Sequence, residues 1–179
     1  MSFEEKVVES ISRYKGEVID VYQQTVKLPD GELANRDVVK HQGAVGVLAL
    51  TDDGKAIFEE QWRTPIGKLT IEIPAGKVEP GEDLLETAKR ELNEETRYEA
   101  GKIEKINGFY SAPGFSNEYM TLYKATNLKK VTKELPRDQG ENLNIFELSL
   151  DEALKAVAEG KIEDAKTILA IYYWKANIK

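Results

Sequence analysis

The segment AGKVEPGEDLLETAKRELNEETR, residues 75–97, carries the strongest signal in the chain. Its first part is rich in Gly and Pro, which lets backbone bend close to a ligand. Its second part has helical periodicity from Leu84 to Thr96, with Leu84, Leu85, Ala88 and Leu92 on one face. On such a helix Glu91, Glu94 and Glu95 stand at i, i+3 and i+4, with Cβ atoms roughly 5–6 Å apart. Like charges so placed repel unless something positive lies among them. Lys89 and Arg90 supply part of that, and a hard divalent cation such as Mg²⁺ or Mn²⁺ suits carboxylate oxygen better. A solvated acidic helix face is the plain alternative. Glu82 at the helix entry and the backbone carbonyls of Ala75-Gly76 favour a ligand site over it. Between Glu72 and Glu99, nine acids face four bases, which accounts for most of the net charge of −7.

The remaining composition narrows the chemistry. A length of 179 residues fits one domain with a short appended element. Cysteine is absent and His41 is the single histidine, which excludes disulfides, thiolate zinc sites and cysteine nucleophiles, and disfavours a histidine triad. His41 itself reads as structural. An acidic protein is a poor general binder of nucleic acid, whose phosphates need Lys and Arg. No apolar run reaches the length of a membrane span. The opening MSFEEKVVES is acidic and lacks an apolar signal core, so a cytoplasmic location is expected.

Strand patterns fill the rest of the chain. Glu17 to Lys27 and Leu33 to Lys40 read as strands around the turn Leu28-Pro29-Asp30-Gly31. The apolar run Ala44 to Leu50 predicts a central strand covered on both faces. Asp52-Asp53-Gly54 turns into a strand from Lys55 to Trp62, and Ile71 to Ile73 is a short strand before a loop from Pro74 to Gly81. Ile103 to Tyr110, Met120 to Thr126 and Leu143 to Leu148 read as further strands. Asp151 is expected to cap a helix that stops at Gly160, and Asp164 an amphipathic last helix. Strands mixed with three helices give an α/β layered domain.

Gly76, five residues, Glu82, seven residues, then Arg90-Glu91-Leu92-Asn93-Glu94-Glu95 closely resembles the Nudix box, G-x5-E-x7-R-E-U-x-E-E-x-G-U, where U is apolar. One position departs: Arg97 stands where the box has a glycine, the usual left-handed helix stop. Arg97 must either accept a strained backbone or end the helix differently. The segments HQGAVGVLAL, EEQWRTPIGK, IEIPAGKVEPGE, FYSAPGFSNE and EGKIEDAKTILAI are similar to the ADP-ribose pyrophosphatase subfamily, and Pro113 falls where that subfamily carries a marker proline.

This resemblance implies a Nudix fold, a mixed β-sheet sandwiched between helices, with an antiparallel N-terminal sheet often exchanged across a homodimer. Residues 1–42 would then form the N-terminal strands, serving dimerisation and substrate contacts, and residues 43–179 the hydrolase domain. It implies Mg²⁺-dependent hydrolysis of ADP-ribose to AMP and ribose 5-phosphate, with Mn²⁺ as a substitute. Ala75, Glu82, Glu91 and Glu95 correspond to the metal site. Glu94 is either a ligand or a group behind one, and Arg90 either holds a box glutamate or makes an ordinary pair with Glu94. Glu141, in Asp138-Gln139-Gly140-Glu141-Asn142, aligns as general base, against an ordinary polar turn. Arg36, Arg63, Pro113 and Gly114 correspond to substrate contacts, the arginines suiting phosphate. Trp62 either stacks on adenine or, as alternation favours, packs in the core. A Nudix hydrolase of another nucleoside diphosphate sugar, or a catalytically weak ADP-ribose-binding module, are the competing expectations.

Overall fold

A computed structural model describes residues 3–178. It contains two compact units, one comprising the chain up to Gly43 together with Phe109–Met120, the other Ala44–Gly108 together with the chain from Thr121 onward. The first unit is built on an antiparallel sheet of β1 (Lys6–Lys15), β2 (Asp20–Lys27) and β3 (Leu33–Lys40), in that order. The Leu28–Gly31 turn closes β2 onto β3, with Gly31 at φ 95° and its N–H donating to Leu28 O at 2.9 Å. β1 lies in a stretch whose charged composition hid it as a strand. All ten of its residues are exposed, Val7, Val8, Ile11 and Tyr14 included. The 111–118 loop docks on β3: Val39 N–H donates to Phe115 O at 2.7 Å and Asn117 N–H to Val39 O at 3.1 Å.

The second unit holds two sheets and three helices. β10 (Asn144–Ser149), β5 (Lys55–Arg63) and β6 (Lys68–Glu72) form one sheet in that order. β7 (Ala75–Lys77), β4 (Ala44–Ala49), β9 (Tyr119–Lys130) and β8 (Tyr98–Tyr110) form the other. β7 is a three-residue strand inside the stretch that read as loop. It is short enough to leave no pattern, and it exists because Val45 and Gly46 of β4 pair with Gly76 and Ala75. β4 is buried along its whole length, as its apolar run predicts. Val45, Val47 and Ala49 pack with Ile57, Ala88, Leu92, Tyr123 and Ala125 in one core. Gly46 points to the other side, where a Cβ would meet Leu122 at 2.8 Å.

Helix α1 (Leu84–Thr96) has the predicted bounds and is capped by Asp83, whose side chain accepts from Leu85 N–H. Helix α2 (Leu150–Ala158) starts two residues earlier than Asp151 suggested. Ser149 is its cap, in a reciprocal box with Glu152 that is worth more than a lone carboxylate in the first turn. Helix α3 (Ala165–Ala176) is capped by Asp164 as expected, and buries Ala170, Ile171 and Trp174. Among the described residues no helix is long and apolar enough to cross a membrane.

Candidate active site

The turn after β7 and the first turns of α1 converge on Arg90. Its Nε donates to Glu82 at 3.0 Å, and its Nη1 to Glu91 at 2.6 Å and Glu94 at 2.9 Å. Nη2 reaches Lys77 O at 3.1 Å and the second Glu82 oxygen at 3.0 Å. One guanidinium therefore organises three box carboxylates, a wider role than a single i, i+4 pair. The Arg90 hydrogen bonds hold the Glu82 carboxyl down at about 2, outweighing its desolvation, with Thr87 and the Glu79 N–H assisting. Arg90 is correspondingly held protonated.

Glu91 and Glu95 lie on the buried face of α1. Burial pushes the Glu91 carboxyl up to about 7 against the pull of Arg90. Burial pushes Glu95 well above the usual range, and the charges of Glu59, Glu91 and Glu141 add to it. Glu95 accepts from Ala75 N–H at 2.9 Å, which fastens α1 to β7. Gly76 fits only without a side chain, since a Cβ there would lie 1.8 Å from Glu91 Oε1.

Glu59 on β5 is a member of this cluster that sequence reading missed. It is fully buried, Gln61 donates to its Oε1 at 2.7 Å, and its Oε2 has no hydrogen-bond partner. Burial raises its carboxyl, followed by the charge of Glu72. The signal was present: Glu59 alternates in phase with Ile57, a core residue under α1. Glu141 belongs to the same electrostatic group. Burial raises it, and its charge in turn raises Glu91 and Glu95.

These residues fit a divalent cation. Desolvated carboxylates, an orphaned buried oxygen and a backbone cradle closed to any side chain are what a hard ion relieves. Glu91, Glu95, Glu82 and the Ala75 carbonyl would hold it, with Glu94 and Glu59 behind them. Among the described residues, no three acidic or histidine side chains already converge on one point; Glu91 and Glu94 turn to Arg90 instead.

Arg63 is not free. It makes a two-pronged pair with Glu72, 2.7 Å at both contacts, while leaving 40% of its side chain exposed. Trp62 is 59% exposed, so core packing is incorrect for it; the face of β5 opposite Glu59 and Gln61 is open at this end. Arg36, Pro113 and Gly114 belong to the first unit. Arg36 is on β3 and pairs with Glu5 at 2.6 Å and 2.9 Å. Pro113 and Gly114 lie in the loop docked on β3, with open space around Gly114. His41 accepts from Gly43 N–H at 3.1 Å, and its own N–H donates to Asn117 Oδ1 at 2.8 Å, so it shapes the entry to β4.

A sequence model of the NUDIX domain matches residues 40–170. The chain belongs to the Nudix family. Members generally require a divalent metal, in keeping with the carboxylates of α1. Among similar proteins, the ADP-ribose pyrophosphatase of Bacillus subtilis is 44% identical over 172 residues, 96% of this chain and 93% of the relative. A methanol dehydrogenase activator of Bacillus methanolicus is 42% identical over 96% of this chain and 92% of its own. A crystal structure of an ADP compounds hydrolase superposes with a TM-score of 0.86 at 17% identity, covering 98% of this chain and 95% of that one, which shows the shared fold. The α/β Nudix architecture implied by the box is thus the architecture found.

Proposed function

We infer that this chain hydrolyses the diphosphate of ADP-ribose with Mg²⁺, releasing AMP and ribose 5-phosphate. The observation that carries this reading is the desolvated Glu91–Glu95 pair on α1, set against the Gly76 cradle, in a chain near-identical in length to an ADP-ribose pyrophosphatase 44% identical to it. When bound, the cation neutralises diphosphate oxygens and lowers the pKa of water.

The chain's own groups do the rest. Glu91, Glu95, Glu82 and the Ala75 carbonyl hold the ion, and Arg90 fixes the rotamers of Glu82, Glu91 and Glu94. Arg63, braced by Glu72, offers its exposed edge to phosphate. Glu141 takes the proton of the attacking water; burial raises its carboxyl and so makes it a stronger base. A P–O bond of the bridge breaks as the water oxygen bonds to phosphorus, and the departing phosphate leaves as an anion. A homodimer forms through the N-terminal sheet, supported by the exposed apolar residues of β1.

A hydrolysis panel with Mg²⁺ and with Mn²⁺, products identified by mass, tests the reading. AMP from ADP-ribose, with little turnover of GDP-mannose or ADP-glucose, is expected. In the same panel Glu95→Gln should lose turnover by a factor of about 10³ or more while keeping its melting point, as loss of a transition-state group does. Preferential cleavage of another sugar nucleotide would overturn the substrate assignment. Binding of ADP-ribose without cleavage would overturn the enzyme.

A further inference from the structure

The last carbonyls of a helix need partners from outside it. At the C-terminal end of α1 those partners come from the strap between Val131 and Arg137. Arg137 donates Nε to Glu94 O at 3.2 Å and Nη2 to Glu95 O at 2.8 Å. Asn93 grips the strap from the helix, donating Nδ2 to Lys133 O at 3.1 Å and accepting from Leu135 N–H at 3.0 Å. Arg97 completes the tie. Its Nη1 donates to Leu135 O and, at 3.5 Å, to Asn93 O. Its Nε lies 3.4 Å from Glu134, and its own carbonyl accepts from Val131 N–H at 3.1 Å.

Arg97 does this from a backbone that side chains disfavour. Its φ is 64°, and it is the left-handed cap of α1. Glycine would stop the helix equally well, and with less strain. Among the described non-glycine residues only Asn127 shares a positive φ, and asparagine tolerates that region. The guanidinium, not the cap, is therefore what distinguishes arginine here. The 138–142 loop follows directly on Arg137, closed by Glu141 N–H donating to Asp138 O at 3.1 Å, and the charge of Glu141 reaches Glu91 and Glu95.

We propose that Arg97 is a positioning residue: it fastens the strap to the end of α1 and thereby sets Glu141 against the carboxylates of the same helix. This rests on the reading of Glu141 as the base. Lysine cannot replace it, because one ammonium on a flexible stem cannot hold Leu135 O, Asn93 O and Glu134 together.

Arg97→Gly and Arg97→Lys, in the full chain, test this by hydrogen exchange, thermal melting and ADP-ribose kinetics. Arg97→Gly should melt no lower than the parent, because strain is relieved where contacts are lost. Its amides over residues 133–142 should exchange about tenfold faster or more, while α1 keeps its protection. Its kcat should fall by about 10- to 100-fold, as misplacement of a catalytic group does, with KM within about twofold. Arg97→Lys should loosen the same segment and melt below Arg97→Gly, because lysine keeps the left-handed backbone strain. Parental exchange over 133–142 in Arg97→Gly would overturn the proposal, as would a lower melting point with faster exchange throughout α1. If the parent protein cleaves no ADP-ribose, the functional reading fails, and the exchange comparison still decides whether Arg97 holds the strap.

Discussion

At Gly76 a single hydrogen in place of a methyl group keeps Glu91 where it is. Gly76→Ala would put Cβ 1.8 Å from Glu91 Oε1 and within 1.9 Å of its Cδ, so the carboxylate must leave. We expect kcat/KM to fall by about 100-fold or more, since displacements of about 1 Å have that effect in catalytic sites. Calorimetric titration with Mn²⁺ should show weakened binding alongside; unchanged binding would separate Gly76 from the cation. Residue by residue, the site was legible where spacing along one helix decides neighbours. Glu91, Glu94, Glu95, Arg90 and Glu82 are brought together as their intervals require. Glu59 and Arg137 were not, because each is joined to the cluster across the sequence: no local interval places a strand glutamate under a helix, or an arginine after β9 against the carbonyls of α1.

β5, β6 and α3 share a second buried group of charges, and here pH is the lever. Burial alone would raise Glu72, but Arg63, Lys166 and Thr70 together hold its carboxyl down at about 2. A carboxyl depressed in the folded state stabilises the protein above its unfolded value near 4.5, and the contribution is lost as pH falls through the folded value. For Glu72 that amounts to up to about 3 kcal/mol, fading between about pH 5 and 2. Urea midpoints against pH should show parent and Glu72→Gln furthest apart near pH 6 and converging toward pH 2; a constant gap would sink the assignment. Element existence was readable where periodicity was long. α1 has its predicted bounds, and Asp164 caps α3 as its sequence suggests. It failed at β1, whose ten residues mix charge and apolar groups without a buried face, and at β7, which owes its form to β4 rather than to itself.

For the molecule as a whole, the N-terminal sheet poses a question of stoichiometry. Val7, Val8, Ile11 and Tyr14 are exposed on a strand that, among the described residues, pairs on one side only, with β2. Apolar surface of that kind commonly marks an interface. Light scattering should report a dimer, and Val8→Glu with Ile11→Glu a monomer; a monomeric parent protein would contradict the assembly. No single chain's periodicity encodes a subunit contact, so the expectation of a dimer came from resemblance alone. The second unit has its own long-range tie. Lys166 meets Glu72, and Thr167 receives Ile73 N–H at 2.9 Å, each across 94 residues of sequence. On a ribosome adding roughly 5–20 residues per second, the wait for that lysine is about 5–20 s. For that interval Glu72 has Arg63 and Thr70 beside it but not its second cation, Lys166. The second unit cannot close β6 onto α3 until α3 itself has been translated.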